Sequence, residues 1–312
     1  MSTVLISGAS GFIGTHLAQS LKAAGHRVVR LVRPETRQLP GATDVVRWDP
    51  EAGGIDREAL TLASPEIVVN LAGENIAQRW TSRRRQKIRD SRVKGTTALA
   101  QAIAALPKQP KVLVSGSAMG YYGAQRGDES LDEESAPGSD FLARTALEWE
   151  QATVAASAAG IRVVLSRTGL VLGSEGGALK RMLPPFRIGI GGRLGRGRQW
   201  MSWIALDDTV RALRFLIDTP TMRGPVNLVG PHPARNADFT MTLARVLGRP
   251  AVLPVPAVAL ELLFGTMADN TILASQRVVP KRLAGAGFEF RHPRLEDALR
   301  FELTRSGGRA GR

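Results

Sequence analysis

Residues 4–14 read VLISGASGFIG, and this stretch decides the fold. The apolar run VLIS predicts a buried strand, Gly8, Gly11 and Gly14 follow it at regular spacing, and FIGTHLAQSLKAAG has the pattern of a helix. Free N–H groups and the positive end of the helix dipole favour an anion at such a turn, and residues without a Cβ let a pyrophosphate come close. Three spaced glycines can occur by chance in a chain with 33 glycines. The inference therefore rests on the strand that precedes them and the helix that follows them. The stretch predicts a dinucleotide site with candidate contacts at Gly8, Ser10, Gly11, Phe12, Ile13 and Gly14.

Strand-like apolar runs alternate with helical patterns through the first half of the chain. The runs lie at 4–7, 27–32, 44–48, 66–71, 111–116 and 161–167, and the helical patterns at about 12–24, 82–105 and 140–159. Such alternation is typical of parallel strands joined by helical crossovers. We therefore predict an α/β fold with a doubly wound parallel sheet, as a Rossmann domain over residues 1–168.

The pattern changes after residue 168, where glycine and proline punctuate the sequence. A strand-like MSWIAL, a helix from Asp207 and the strand-like VNLV at 226–229 predict a segment near 200–230 that returns to the sheet. Helices near 236–247, 256–264 and 294–302 predict a smaller, mainly substrate-binding C-terminal domain over 169–304. The tail RSGGRAGR at 305–312 is predicted to be disordered. A ligand is expected between the sheet and this cap, at the carboxyl ends of the strands.

The chain is strongly basic, with 42 Lys and Arg against 28 Asp and Glu and a formal net charge of +14. That balance raises nucleic acid as a partner. The arginines are spread along the sequence, however, and the densest cluster, at 79–94, has no recognition motif with interleaved aromatic residues. We expect solvated basic faces, an anionic cofactor and a small-molecule substrate, and no nucleic-acid partner.

Composition also argues against membrane and metal functions. No apolar run reaches about 18 residues and the chain enters a strand at once, so neither a membrane partner nor a signal peptide is expected. The chain has no cysteine, which fits a cytoplasmic, reducing compartment. The histidines lie far apart and without ligand spacing, so we expect no metal site; they are His16, His26, His232 and His292.

The end of the second predicted strand distinguishes the two nicotinamide cofactors. An acidic residue there would accept a hydrogen bond from the ribose 2′-hydroxyl, whereas an arginine pairs with a 2′-phosphate. The strand ends in LVRP, with Arg33 and no acid, and Arg30 is a weaker candidate. A guanidinium holds phosphate bidentately, which favours NADP. Asp49 ends the third strand as either an acceptor for the adenine amino group or a turn residue in DPEAGG.

Several motifs together resemble one known family. In order they include GASGFIG, NLAGENI, RDSRVKGT, SGSAMGYYG, DFLARTALEWE, GGRLGRGRQWMSWIALDD and SQRVVPKRL, spread over residues 1–304. They resemble the epimerase-like atypical branch of the extended short-chain dehydrogenase/reductases, the NAD-dependent epimerase/dehydratase family. The resemblance implies a Rossmann domain with a C-terminal substrate domain. It adds cofactor contacts at Leu71, Ala72, Gly73 and Ser115.

The chain departs from that family where its chemistry resides. Active relatives use a serine after the fifth strand and a Tyr-x-x-x-Lys pair on the next helix. Ser117 resembles the serine, but Phe141 and Thr145 stand at the tyrosine and lysine positions. A positioned acid or base supplies a factor of about 10² to 10⁴ in rate, so the usual carbonyl chemistry needs a replacement group.

Three replacement groups can be named. Tyr121 and Tyr122, the only tyrosines, lie just after Ser117, and each is either a proton donor or a residue wedged between sheet and cap. Glu74 ends NLAGE and is either an acid or base or a hydrogen-bonding partner of cofactor or loop. Further departures are Arg92, where relatives often have asparagine in N-V-x-G-T, and Ala205, where many have histidine; we assign Ala205 no chemistry.

The glycine-rich loop GGRLGRGRQW carries the substrate-side expectations. It presents Arg193, Arg196 and Arg198 in a region where extended relatives bind a nucleotide-sugar phosphate. The arginine that those relatives use aligns near Met201 of this chain, and not with any of the three. Gln199 and Trp200 are candidate pocket residues, whereas Trp203 reads as core. A small substrate that is anionic or resembles a nucleotide sugar is expected.

Two functions remain open from the sequence. The first is an NADP-dependent oxidoreductase or epimerase that acts by hydride transfer, with Ser117 orienting the oxygen and a non-standard acid. The second is a non-catalytic NADP(H)-sensing module, which Phe141 and Thr145 favour. A homodimer is expected from the resemblance, because helices such as those over 82–105 and 140–159 often pair across dimers in the superfamily.

Overall fold

A computed structural model describes residues 1–35 and 44–307, with side chains as far as residue 304. The strands are β1 (Thr3–Ser7), β2 (Arg27–Val32), β3 (Val45–Asp49), β4 (Gly54–Ile55), β5 (Ile67–Asn70), β6 (Val112–Ala118), β7 (Gln125–Leu131), β8 (Arg162–Thr168), β9 (Leu170–Leu172), β10 (Trp200–Met201), β11 (Trp203–Ala205), β12 (Gly224–Leu228), β13 (Ala234–Arg235) and β14 (Ser275–Val278). The α-helices are α1 (Phe12–Ala23), α2 (Arg57–Ala63), α3 (Ser82–Ala104), α4 (Phe141–Gln151), α5 (Val154–Ala158), α6 (Gly177–Arg187), α7 (Leu206–Asp218), α8 (Asn236–Leu247), α9 (Ala257–Phe264), α10 (Lys281–Gly285) and α11 (Leu295–Gly307). A 3₁₀ turn spans Met119–Tyr122 and a π-helical turn spans Ala268–Ile272.

An eight-stranded sheet forms the centre of the molecule, in the order β12-β8-β6-β5-β1-β2-β3-β4. Its neighbours pair in parallel, except that β4 turns back antiparallel to β3. The strand order reverses beside β1, so the carboxyl ends of β1 and β5 meet at the switch point where ligands bind in such sheets. The predicted doubly wound α/β fold is confirmed.

Helices cover both faces of this sheet because its strands are apolar on both sides. Val4 and Ile6 of β1 point to the face packed by α1 and α7, and Leu5 points to the opposite face, packed by α3. This alternation is the two-residue period of a strand. Each buried face therefore fixes the register of β1 and holds the turn that follows it.

The predicted helix over 140–159 is wrong in one respect, since it is broken into α4 and α5. The Thr153 hydroxyl donates to the carbonyl of Glu150 at 2.8 Å, and the Thr153 N–H bonds the same carbonyl at 3.3 Å. Local bonds of this kind compete with helical hydrogen bonds and end the helix. At the other end of the chain, α11 continues to Gly307, three residues into the tail predicted to be disordered, and residues 308–312 lie outside the described part.

The C-terminal half adds a second apolar cluster. Leu179 of α6, Phe239 of α8 and Leu299 of α11 pack together with Trp203 of β11, which is 1% exposed and confirms the core assignment of that tryptophan. The pairing of β14 with β7 ties this half back to the loop that follows β6. Sequence patterns did not predict α6, whose Pro184 and Pro185 suggested a break, or the β7–β14 pair.

The described residues offer neither a membrane-spanning helix nor a cluster of metal ligands. None of their helices is both long and apolar enough to cross a membrane. Across residues 1–35 and 44–307, no group of three or more His, Cys, Asp or Glu side chains is placed to hold a metal ion.

Candidate dinucleotide and substrate site

The glycine turn after β1 is built for close backbone contact. Gly8 has φ +68°, and a Cβ there would lie 2.8 Å from the carbonyl of Leu71. A Cβ at Gly14 would lie 2.1 Å from the Gly8 carbonyl oxygen, so this position tolerates no side chain. Gly11 differs, because its Cβ would meet only that oxygen, at 3.1 Å, on the exposed side of the turn. Gly8 and Gly14 hold the turn together and Gly11 leaves its surface open.

The N-terminus of α1 opens onto this surface. Its N-cap is Gly11, no side chain of residues 1–35 or 44–304 caps it, and its first turn contains no acidic residue. Ser10 and Gly11 are exposed, whereas the Phe12 ring turns away to pack on the loop before α6, where a Cβ at Gly176 would lie 2.4 Å from it. The uncapped N–H groups and the helix dipole leave a place for an anion. The residues present therefore fit the pyrophosphate of a dinucleotide.

A buried polar chain holds the NLAG loop against the turn. The Ser7 hydroxyl accepts the N–H groups of Leu71 and Ala72 at 3.1 and 3.2 Å and donates to Asn70 Oδ1 at 2.5 Å. Asn70 in turn donates to Thr96 Oγ1 on α3 at 2.8 Å. Leu71 and Ala72 thus form the wall beside the glycine turn, and Gly73 is exposed at its end. Ser115 is different, because it is fully buried inside β6, and its cofactor contact stays a prediction.

Cationic side chains lie at the carboxyl end of β2. Arg33 directly follows the strand, is exposed, and makes no hydrogen bond or ion pair to any described residue. Arg47 on β3 donates to the carbonyl of Pro34 at 2.6 Å and adds a second guanidinium nearby, which the sequence analysis missed. Asp49 Oδ1 accepts the N–H groups of Glu51 and Ala52 at 2.9 and 3.0 Å, which makes it a turn residue and favours the second of its two interpretations.

Ser117 does not face an open cleft. Its side chain donates to Glu150 Oε1 at 2.6 Å, and that carboxylate takes two further hydrogen bonds from Arg167, at 2.8 and 2.9 Å. Arg167 and Glu150 are 3% and 9% exposed, so this is a buried ion pair. The pair raises the pKa of Arg167, whose side chain stays charged, against the cost of its burial. The predicted substrate-orienting role of Ser117 does not fit this placement.

Tyr122 belongs to the same buried cluster. It is fully buried, its hydroxyl donates to Asn227 Oδ1 at 2.7 Å, and it accepts from Arg167 at 3.1 Å. Burial raises the pKa of Tyr122 to about 12, against the opposing charge of Arg167. The hydroxyl of Tyr122 does not face the cleft, which favours the alternative of a tyrosine wedged between sheet and cap over that of a proton donor. The contacts that hold Tyr122 come from Arg167 and Asn227, which lie far from it in sequence.

Tyr121 and Glu74 remain available beside the strand ends. Tyr121 is half-buried, its ring stacks on the Arg167 guanidinium with 3.5 Å between Cζ and the ring centroid, and its hydroxyl has no hydrogen-bond partner among the described residues. Glu74 pairs with Arg84 at 2.6 Å and is 22% exposed. Tyr121 is therefore the candidate whose hydroxyl is uncommitted, and Glu74 is already ion-paired.

The position of the missing Tyr-x-x-x-Lys pair is filled by packing. The Phe141 ring packs edge-on against Trp80 at 5.3 Å, in an apolar cluster that includes Met267 from the C-terminal half. Thr145 is 4% exposed and its hydroxyl donates to the Phe141 carbonyl at 2.8 Å. Neither side chain offers a proton to the cleft, as the sequence analysis expected.

The predicted substrate loop leads into β10. Its arginines Arg193, Arg196 and Arg198 are all exposed, and Gln199 donates to the Leu194 carbonyl at 3.2 Å. Trp200 donates from Nε1 to Asp128 Oδ1 at 2.7 Å, and the guanidinium groups of Arg235 and Arg277 lie 4.3 and 4.9 Å from its ring. Arg235 and Arg277 come from separate strands, β13 and β14, that meet Trp200 only in the fold, so no sequence pattern indicated them.

Comparison with known proteins shows where this architecture belongs. Residues 4–232 match the NAD dependent epimerase/dehydratase family, and residues 255–302 match DUF1731, a domain of unknown function. The chain belongs to the NAD-dependent epimerase/dehydratase family. Within it, the chain falls in the branch of SDR39U1-like proteins related to short-chain dehydrogenase/reductases, and the predicted resemblance is confirmed.

Relatives of this family match the chain over nearly its full length. An epimerase family protein of Mycobacterium bovis is 46% identical over 307 residues, 98% of this chain and 99% of that protein. The crystal structure of the human epimerase family protein SDR39U1 with NADPH has a TM-score of 0.85 at 32% identity, covering 97% of this chain and 99% of that one. A structure described as the nucleoside-diphosphate sugar epimerase from Corynebacterium glutamicum has a TM-score of 0.77 at 36% identity, covering 97% of this chain and 58% of that one.

Proposed function

We propose that this family member is an NADP(H)-dependent oxidoreductase or epimerase that transfers hydride at a carbonyl or carbinol carbon. The observation that carries the proposal is the exposed, uncapped N-terminus of α1 above a glycine turn in which side chains at Gly8 and Gly14 would clash. That geometry suits a pyrophosphate and has no evident purpose in packing alone. The NADPH of the human SDR39U1 structure supports the same cofactor here.

The choice of NADP over NAD rests on charge at the carboxyl end of β2. Arg33 is exposed and unpaired among the described residues, and no acidic residue occupies the strand end to bind a free ribose hydroxyl. A guanidinium there offers a 2′-phosphate two parallel hydrogen bonds. The +14 net charge of the chain also favours the more anionic cofactor.

Proton transfer is assigned to Tyr121. When bound, the nicotinamide supplies or accepts the hydride at the substrate carbon. In the reducing direction the Tyr121 hydroxyl gives its proton to the substrate oxygen, which becomes an alcohol, and the phenolate regains a proton from solvent. Arg167, stacked on the Tyr121 ring, places a fixed positive charge beside that phenolate. Glu74 is the second candidate, and its use would first require release from Arg84.

The substrate is proposed to be small and anionic, of the nucleotide-sugar type. Exposed Arg193 and Arg198 precede Trp200, whose ring is flanked by Arg235 and Arg277. Guanidinium groups around an aromatic ring suit a phosphate or carboxylate attached to a stacking group. The name of the Corynebacterium glutamicum relative is consistent with a sugar nucleotide.

A non-catalytic NADP(H) sensor is the competing function. It is favoured by one observation, that Ser117 is committed to Glu150 and Phe141 is packed against Trp80, so two positions used by active relatives have structural contacts. One experiment separates the two functions. NADPH oxidation is measured against aldehydes, ketones and nucleotide sugars, with wild type, Tyr121→Phe and Glu74→Gln.

The enzyme proposal expects turnover with at least one carbonyl compound, lowered about 10²-fold or more by Tyr121→Phe without a matching loss of NADPH affinity. If Tyr121→Phe keeps the wild-type rate and Glu74→Gln lowers it, Glu74 and not Tyr121 is the proton donor. NADPH binding without turnover of any compound would leave the sensor as the function.

A further inference from the structure

Arg92 is a charged side chain that the site described above does not use. It extends from α3 to the end of the NLAG loop, where a Cβ at Gly73 would lie 3.0 Å from its Cζ and 3.1 Å from its Nη2. Nη1 donates to the Ile88 carbonyl at 3.0 Å, and Cζ lies 5.1 Å from the centre of the Trp149 ring. The guanidinium is thus fixed in position by packing and by one hydrogen bond.

Within the part of the chain that the structure describes, no carboxylate forms an ion pair with this half-buried cation. Glu74, two residues along from Ala72, is paired with Arg84 at 2.6 Å, and Arg92 forms no ion pair within the described residues. Its Nε and Nη2 atoms have no hydrogen-bond partner there either. Desolvation lowers the pKa of Arg92 to about 10, with the charge of Glu74 acting in the opposite direction. Partly desolvated charged groups are usually paired, so the Nε and Nη2 groups of Arg92 are available to an anion from outside the chain.

The location of Arg92 specifies which part of a ligand it meets. Gly73 continues the wall formed by Leu71, whose backbone touches Gly8. In a doubly wound sheet the strands on the β2 side bind the adenosine half of a dinucleotide, and those on the β5 and β6 side bind the other half. Arg92 therefore lies on the nicotinamide side of the turn, opposite Arg33.

The face of α4 that carries Thr145 and Trp149 has no cationic side chain. Trp149, on which Arg92 lies, follows Thr145 by one helical turn of α4, and residues so spaced share a helix face. Thr145 carries no charge and its hydroxyl is bonded to the Phe141 carbonyl. The positive charge next to this face of α4 therefore comes from Arg92 on α3.

We propose that Arg92 binds an anionic oxygen at the nicotinamide end of the cleft, either a phosphate of the dinucleotide or the carboxylate or phosphate of the substrate. This proposal rests on the proposed dinucleotide site. It gives the chain two arginine contacts at opposite ends of the ligand, with Arg33 selecting the 2′-phosphate and Arg92 holding the reacting half.

The test compares Arg92→Met and Arg92→Lys with Arg85→Met, an exposed arginine near the start of α3. Calorimetry measures the Kd of NADPH and of adenosine 2′,5′-bisphosphate, which keeps the Arg33 contact and lacks the nicotinamide half. We expect Arg92→Met to weaken NADPH binding about tenfold or more and to leave the bisphosphate within about twofold, with Arg92→Lys between wild type and Arg92→Met. Arg85→Met should match wild type for both ligands.

A second arm identifies the source of the anion. NADPH-saturated protein is titrated with inorganic phosphate and with malonate, and loss of this binding in Arg92→Met with NADPH affinity retained would assign Arg92 to the substrate. If the variants keep wild-type affinity for NADPH, phosphate and malonate, the proposal is overturned. If wild type fails to bind NADPH, the proposed function fails instead, and phosphate and malonate titrations of the cofactor-free wild type and Arg92→Met proteins then decide whether Arg92 binds anions. Should Arg92→Met not fold, Arg92→Lys carries the same comparison.

Discussion

Ser117 Oγ donates a 2.6 Å hydrogen bond to Glu150 Oε1, and Arg167 holds the same carboxylate through two more hydrogen bonds. The serine that resembles a catalytic group is therefore one end of a buried charged cluster. From Arg167 the cluster continues through Tyr122 to Asn227 on β12. It joins β6, β8, β12 and α4, which ties the centre of the sheet to its edge strand.

The cluster predicts a stability effect from a conservative substitution. Glu150→Gln keeps the side-chain size but leaves the Arg167 guanidinium buried without its carboxylate, and we expect the free energy of unfolding to fall by about 3–5 kcal/mol. Ser117→Ala removes one hydrogen bond and should cost about 1–2 kcal/mol. Urea denaturation measures both, with NADPH titration in parallel. If Ser117→Ala has wild-type stability but lowered turnover, Ser117 has a catalytic role and not a structural one.

Tyr122 predicts a delayed ionisation. Its pKa is raised to about 12 in the folded chain, against about 10 for an exposed tyrosine. Tyr122 thus contributes its full stabilisation below pH 10, and the contribution is lost as the pH rises from about 10 to about 12, because the unfolded chain releases the proton first. In Tyr121→Phe, which leaves Tyr122 as the single tyrosine, the phenolate absorbance should rise near pH 12 in buffer and near pH 10 in denaturant. A rise near pH 10 in the folded protein would contradict the buried placement.

Local patterns were sufficient to predict the sheet. Buried strands such as β1 and β6 are continuous apolar runs that end at glycine or serine, so their existence and order follow from residues close in sequence. Two strands were not predicted, because their sequences have no apolar period and their partners can be far away in the chain. The two-residue strand β4 has no period to recognise, and β7, with a largely polar sequence, pairs with β14 nearly 150 residues away.

In the candidate site, too, the residues close together in sequence were predictable and those held by distant partners were not. One continuous unit, β1–α1–β2 with the residue that follows it, contains Gly8, Gly11, Gly14 and Arg33. A sequence pattern can therefore place these residues. The direction of a side chain at a strand end depends on distant partners instead. Tyr122 points inward because its hydroxyl donates to Asn227 and accepts from Arg167, whereas the hydroxyl of Tyr121 has no partner among the described residues. No pattern in SGSAMGYYG separates the two.

Arg33 predicts cofactor selectivity. With its guanidinium exposed at the end of β2, NADPH should bind about tenfold or more tightly than NADH, a difference of about 1.4 kcal/mol. Arg33→Ala should remove most of that preference by weakening NADPH binding and leaving NADH binding unchanged. Arg47→Ala tests whether the second guanidinium, bonded to the Pro34 carbonyl, contributes. Calorimetric titration of both cofactors decides the assignment, which fails if wild type binds them equally or if Arg33→Ala keeps the preference.

Gly11 and Gly14 predict opposite outcomes from the same substitution. Gly11 has φ −76°, and its Cβ would meet the Gly8 carbonyl at 3.1 Å, so Gly11→Val should fold after a small adjustment while its side chain occupies the surface that a pyrophosphate approaches. Gly14→Val would place Cβ 2.1 Å from the same oxygen, which backbone shifts cannot relieve cheaply, and should lower the melting temperature strongly. Thermal melts with and without NADPH separate binding from folding, because a bound ligand raises the melting temperature. We expect the melting temperature of Gly11→Val to be close to that of wild type in buffer and not to shift with NADPH. If NADPH stabilises Gly11→Val as fully as wild type, the turn serves packing alone.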